Sequence, residues 1–152
     1  MFIKAAIADL ESKVGTEISV SSWLTVTQDM INQFADVTRD WQWIHIDPER
    51  AKKQSPFGTT VAHGFLTLSL IPYLAGPTGR SYEGVKMSVN YGLNKVRFPH
   101  PVAVGSNIRA RTELQSFKEV KGGLQIIRKI TIEIEGVAKP ACVAEMVGRI
   151  YF

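Results

Sequence analysis

The chain contains one cysteine, Cys142, in 152 residues. A single thiol cannot close an internal disulfide, so the fold must rest on its apolar core, and a reducing cytoplasm is the expected setting. Such a cysteine is expected to be a small buried hydrophobe rather than a nucleophile. Long apolar runs are also missing. The longest, Phe65 to Ala75, is too short to span a bilayer. Asp9 and Glu11 fall where a secretory segment needs an unbroken apolar stretch, so no signal peptide and no membrane anchor are expected.

Charge of one sign is never concentrated. The net charge is +4, but the bases (Lys52-Lys53, Lys95, Arg97, Arg109, Arg111, Arg128-Lys129) are scattered, as on a solvated surface. Without a basic block or an aromatic ladder, no nucleic-acid partner is expected. Neither Walker nor dinucleotide glycine patterns occur. Gly76-Pro-Thr-Gly79 lacks the strand and lysine such loops need, and Ser69 lacks the glycine elbow of a serine hydrolase. His45, His63 and His100 show no metal-ligand spacing, so no metal site is expected. Repeats and linkers are absent, which predicts one domain over residues 1–152.

What is present is ordered by period. Residues Ile3 to Val14 predict a helix stopped near Gly15, followed by an extended run from Val20 to Val26. Thr27 is suited to cap a helix carrying Met30, Ile31, Phe34 and Val37 at helical spacing, which runs into Asp40. Pro48 can open a short helix to Lys53. A further helix starts at His63-Gly64, and its residues Phe65 to Leu74 predict burial on all sides, with Pro72 ending or kinking it. Strands follow. Ile108 to Leu114 and Ile130 to Ile134 alternate about a Lys121-Gly122-Gly123 turn, and 85–97 and 141–151 supply two more. Helices followed by strands predict an α+β fold, an antiparallel sheet wrapped around a central apolar helix.

The residues that could carry chemistry cluster in the stretch from Asp36 to Pro48. Asp40 and His45 lie in a connection between helices, where a carboxylate and an imidazole five residues apart can converge on one water. From the residues alone, the plainer reading is a capping Asp40 and a loop histidine satisfied by backbone. Trp41, Trp43 and Ile44 would surround the pair with apolar bulk, a setting that perturbs pKa values. Gly64, opening the apolar helix, either offers its N–H to an oxyanion or simply permits close packing. Tyr91 to Pro99 mixes polar residues into a strand that otherwise reads as buried; the plainer reading is a strand end with a solvated face.

The Asp-(four residues)-His turn, the Ala-His-Gly at 62–64 and the Val-Arg-Phe-Pro stretch at 96–99 together resemble the MaoC-like dehydratases, which include the (R)-specific enoyl-CoA hydratases. The wording of residues 40–51 is most similar to the nodulation-protein-N-like branch. The resemblance implies a hot-dog fold, a homodimer, an acyl-CoA thioester substrate and no metal or redox cofactor. Carried onto this chain, it implies Asp40 and His45 holding the attacking water, with Asp40 as the main base and the Gly64 N–H on the thioester oxygen. It places Gln42, Trp43, His63, Asn90, Tyr91, Asn94, Lys95 and Arg97 against the substrate. The usual hydratase turn has Gly, Asn and Pro where this chain has Arg39, Gln42 and Trp43. Trp41, Trp43 and Pro72 favour a short acyl chain. Dehydration of carrier-protein-linked substrates, a thioesterase and a non-catalytic acyl-CoA-binding module are the alternatives. The apolar helix holds no Asp or Glu of the kind a hot-dog thioesterase uses.

Overall fold

A computed structural model describes residues 2–79 and 82–152. Helix α1 (Phe2–Lys13) stops where Gly15 takes a φ of 81°. The next run is extended but broken into β1 (Glu17–Val20) and β2 (Leu24–Thr25). Helix α2 (Gln28–Thr38) begins as expected, with Thr27 Oγ1 accepting from the Met30 N–H at 3.2 Å. It ends unusually. Arg39 sits at φ 60°, ψ 29°, a left-handed position that glycine occupies without cost. Arg39→Gly is therefore expected to stabilise the fold by about 0.5–1 kcal/mol, the relief of left-handed strain less the entropy glycine loses. Urea denaturation of the two proteins measures it, and a less stable variant would show that Arg39 is held by something other than its backbone.

Two short helices, α3 (Trp43–Ile46) and α4 (Pro48–Gln54), carry the chain to α5 (Gly64–Ser69) and α6 (Ile71–Leu74). The break between α5 and α6 falls at Leu70, where Pro72 leaves the ladder one N–H short. Four strands follow: β3 (Met87–Arg97), β4 (Asn107–Val120), β5 (Gly123–Ile134) and β6 (Val137–Tyr151). They form one antiparallel sheet in the order β1-β4-β5-β6-β3, with β2 also paired to β4. The expected β4–β5 turn is present, with Val120 opposite Gly123. A Cβ on Gly123 would lie 1.8 Å from the Ile150 carbonyl oxygen, so only glycine lets β6 approach there. β6 starts earlier than its pattern suggested because Pro140 falls in the register shift between Ile132 and Ile134, where no ladder bond is lost.

The inner face of the sheet packs on α5 and α6. Leu66 and Ile71 meet Ile108, Ile130, Ile132, Ala144 and Met146 in one apolar cluster. A second cluster gathers Ala6 and Leu10 of α1 with Leu114, Leu124, Ile126 and Ile150. Each large side chain buried this way contributes about 1.5–3 kcal/mol. Cys142 is fully buried and its thiol is pushed up to about 11 by burial, so it behaves as the small hydrophobe expected. On the outer face Arg109 and Arg111 both pair with Glu133, and Arg111 also with Glu17, as the solvated reading of those bases requires.

Four expectations are corrected. The central helix is not buried all round, since Phe65 is 67% and Tyr73 73% exposed. Val37 points to solvent, because the apolar stripe of α2 is carried by Ile31 and Ala35. β3 is exposed nearly throughout because it is the edge of the sheet. Arg128 is not a surface base; it faces the core.

Candidate active site

The chain brings Asp40 and His45 together and adds a third group, His63. A carboxylate oxygen of Asp40 and one ring nitrogen from each histidine all lie within 4.8 Å of one another. His45 is not in an irregular connection but in α3, a single turn too short to show periodicity. Its Nδ1 is 2.6 Å from the Val61 carbonyl, which can only accept, so Nδ1 carries the proton and Nε2 is the acceptor of the neutral ring. His63 is stacked on His45, ring centroids 3.8 Å apart and planes 24° apart. His63 Nε2 donates to the Asp40 carbonyl at 3.0 Å and lies 3.9 Å from Asp40 Oδ2. Its Nδ1 is buried without a partner, which the Nε2–H tautomer tolerates as a bare lone pair.

Burial is the main influence on His45 and holds its pKa below the ordinary histidine value, with the neighbouring His63 acting the same way. The Val61 carbonyl and Asp40 oppose this. The imidazole is thus kept neutral, with Nε2 free to accept, while Asp40 has a side chain 55% exposed and reaches solvent. Three donors so close invite comparison with a metal site. However, the two imidazole planes are nearly parallel, so their in-plane lone pairs do not converge on one ion, and one nitrogen of each ring is already committed. The arrangement suits a water better. Two acceptors, the carboxylate and His45 Nε2, can each take one of its protons.

Gly64 is the first residue of α5, with His63 at the cap position. First-turn N–H groups have no intrahelical partner, and that of Gly64 makes no backbone hydrogen bond among the described residues. A Cβ there would meet the Phe98 ring at 3.1 Å, which ties the Val-Arg-Phe-Pro motif to the head of this helix.

These features coincide with a sequence match to the MaoC like domain family over residues 9–135. The chain belongs to that family. The MaoC-like chain is 51% identical over 145 residues to 3-hydroxyacyl-thioester dehydratase Z of Mycobacterium tuberculosis, covering 95% of each. It is 42% identical over 149 residues to nodulation protein N of Rhizobium leguminosarum bv. viciae, covering 97% of this chain and 92% of that one. Among solved structures, the (R)-hydratase of A. caviae involved in PHA biosynthesis superimposes with a TM-score of 0.71 at 25% identity, covering 89% and 94% of the two chains. The α+β sheet-around-helix architecture is the hot-dog fold of these neighbours. Among the described residues, no helix is long and apolar enough to cross a membrane.

Of the other expected site residues of this MaoC-like domain, some are close to the pair and some are not. Gln42 borders it, its carbonyl accepting from the His45 N–H at 2.9 Å. Trp43 carries the Arg50 guanidinium 4.4 Å above its ring. Trp41 is anchored by its indole N–H on Asp36 at 2.8 Å. The β3 residues engage along the sheet instead. Asn94 donates to Glu145 at 2.7 Å, Tyr91 lies under Arg149, and Arg97 donates to the Val96 carbonyl. Asn90 lines a cavity of about 350 Å³ with Leu68, Pro72, Leu93 and Met146.

Sequence reasoning missed Gln28 and Thr60. Gln28 Nε2 donates to the His45 carbonyl at 2.7 Å, and Thr60 Oγ1 donates to Gln28 Oε1 at 2.5 Å. Val61 then closes the frame, its N–H on the Ile44 carbonyl at 3.1 Å and its own carbonyl on the His45 ring. His45 is therefore fixed at both backbone and ring.

Proposed function

We propose that this MaoC-like chain, working as one domain and as a homodimer, reversibly adds water to trans-2-enoyl-CoA to give the (R)-3-hydroxyacyl-CoA. The observation that carries the reading is the closeness of Asp40 and His45, a carboxylate oxygen and a ring nitrogen within 4.8 Å, with His45 Nε2 left as the acceptor of its ring. A water donating one proton to each turns its lone pairs outward towards C3 of the substrate. As its oxygen bonds to C3, the proton moves to Asp40 and the C2–C3 double-bond electrons shift towards the thioester oxygen. The Gly64 N–H, at the positive end of α5, stabilises that oxygen. As the charge collapses, the proton taken up by Asp40 is delivered to C2, which regenerates the carboxylate, and dehydration is the same path reversed.

Short chains fit the geometry best. Helix α5 rises about 1.5 Å per residue, so the Leu68–Pro72 cavity begins roughly 6 Å along the axis from Gly64, within reach of a butenoyl or hexenoyl chain. Lys52, Lys53, Lys95 and Arg97 are the cations available to the CoA phosphates. A second copy is the natural cover for the exposed β3 edge, with Tyr91, Leu93 and the neighbouring Phe65. The lone thiol suits a cytoplasmic setting.

The test is turnover of enoyl-CoA across chain lengths beside the same acyl groups on a carrier protein. Preference for CoA supports the proposal, and preference for the carrier protein makes the chain a 3-hydroxyacyl-carrier-protein dehydratase. Release of free CoA would instead indicate a thioesterase.

The acid limb of the pH profile follows from His45. Its folded pKa lies below its unfolded value near 6.5, so the neutral acceptor is present at pH 7 and is lost only as pH falls through the lowered value. The limb of kcat/KM assigned to His45 is expected to have its midpoint below 6.5. Stability has the same sign: the unfolded state binds the extra proton first, so His45 contributes a loss of stability as pH falls from about 6.5 to the folded pKa. A His45 limb centred above 6.5 would contradict a buried neutral imidazole.

A further inference from the structure

The inner face of β5 reads Ile126, Arg128, Ile130, with an arginine where alternation demands an apolar side chain. Arg128 is 5% exposed and stands at the seam between the two apolar clusters, Ile130 belonging to one and Ile126 to the other. Its hydrogen bonds are few for a guanidinium. Nη2 donates to Thr78 Oγ1 at 2.8 Å, Nη1 makes a long 3.3 Å bond to the Gly76 carbonyl, and Nε has no partner. Both acceptors are neutral. Among the described residues no carboxylate pairs with Arg128, and the nearby Lys13 is already held by Asp9 at 2.7 Å. An arginine cannot shed its proton to escape burial, so the charge remains uncompensated.

The local structure is built around this group. Thr78, from the Gly-Pro-Thr-Gly turn, is buried against Gly148, where a Cβ would approach its Oγ1 to 2.1 Å. Arg128 and Thr78 line a cavity of about 560 Å³, with walls that include Leu10, Ile18, Val20 and Leu74 and with no Asp or Glu. None of Asp40, His45, His63 or Gly64 lines it, so it is separate from the water site.

We propose that this cavity is a second ligand site, taking an amphiphilic monocarboxylate whose carboxylate meets Arg128 and whose chain lies along the apolar walls. A planar carboxylate matches the guanidinium fork, and its single charge matches the one uncompensated cation among the described residues lining the cavity. A phosphate dianion would carry one negative charge too many and would leave the apolar walls unused.

Octanoate is the probe, with octanol and inorganic phosphate beside it, read by titration calorimetry and by the shift in Tm. Octanoate is expected to bind and to raise Tm, while octanol and phosphate bind at least about tenfold more weakly. Arg128→Met is expected to lose octanoate binding by about tenfold or more. Val20→Glu, a change at a wall residue 42% exposed, is expected to fold, places a rival carboxylate in the cavity and should do the same even if Arg128→Met fails to fold. Asp40→Asn should bind octanoate as the unaltered protein does. The proposal is overturned by phosphate or octanol matching octanoate, by octanoate affinity surviving in Val20→Glu or a folded Arg128→Met, or by its loss in Asp40→Asn. These outcomes are independent of whether the chain hydrates enoyl-CoA.

Discussion

Asp40→Asn and His45→Gln are each expected to lower the rate of enoyl-CoA hydration by about 10²–10⁴-fold, the range lost when a positioned acid or base is removed. Both replacements keep size and some hydrogen bonding but weaken the acceptor proposed to take a proton from water. Neither should unfold the protein. Asp40 has a largely exposed side chain and holds its turn chiefly through its backbone, whose N–H bonds the Ala35 carbonyl and whose carbonyl accepts from His63. Gln at position 45 keeps a donor for the Val61 carbonyl, and the Gln28 bond is made to the backbone of residue 45. If the pair acts on one water, the double variant should be scarcely slower than the worse single variant. Unaltered rates in both single variants would remove the site assignment.

Gly64 offers the second large effect, because its N–H can be deleted without mutating a side chain. Proline is favoured at the first position of a helix, and His63, at φ −58° and ψ 137°, already has the extended backbone that a residue before proline requires. Gly64→Pro should therefore fold yet lose the N–H proposed as oxyanion donor, lowering kcat by about 10²–10³-fold. Gly64→Ala is the control. It places a Cβ against Phe98, where the ring must yield by a few tenths of an ångström, but it keeps the N–H. Its rate is expected to stay within about tenfold of the unaltered protein. Equal rates for the Pro and Ala variants would mean that crowding by Phe98, not the N–H, explains the glycine.

What was legible in the sequence obeyed local rules. The Thr27 cap, the Lys121-Gly122 turn, the helix head at Gly64 and the Pro72 interruption all depend on neighbours a few residues apart. The Asp40–His45 turn was visible for the same reason. Its support was not: Gln28, Thr60 and Val61 lie 16 to 32 residues from their partners, and no periodicity joins them. His63 was expected at the site, but its stacking on His45 joins residues 18 apart and no spacing announces it. Strand alternation identifies a strand but not its place in a sheet, so β3 read as buried although it is the edge. Arg128 is a different case. The alternation that set Ile130 and Ile132 inward also set Arg128 inward, but it was grouped by charge with the surface bases rather than by parity with its strand.

The central claim is that the Asp40–His45 pair adds water to an enoyl thioester. The most direct test is incubation of the purified chain with crotonyl-CoA, following the conjugated enoyl absorbance and determining the configuration of the product. Loss of that absorbance with formation of (R)-3-hydroxybutyryl-CoA, absent in Asp40→Asn, is the predicted result. Binding of acyl-CoA with no turnover at any chain length, or hydration undiminished in Asp40→Asn, would contradict it.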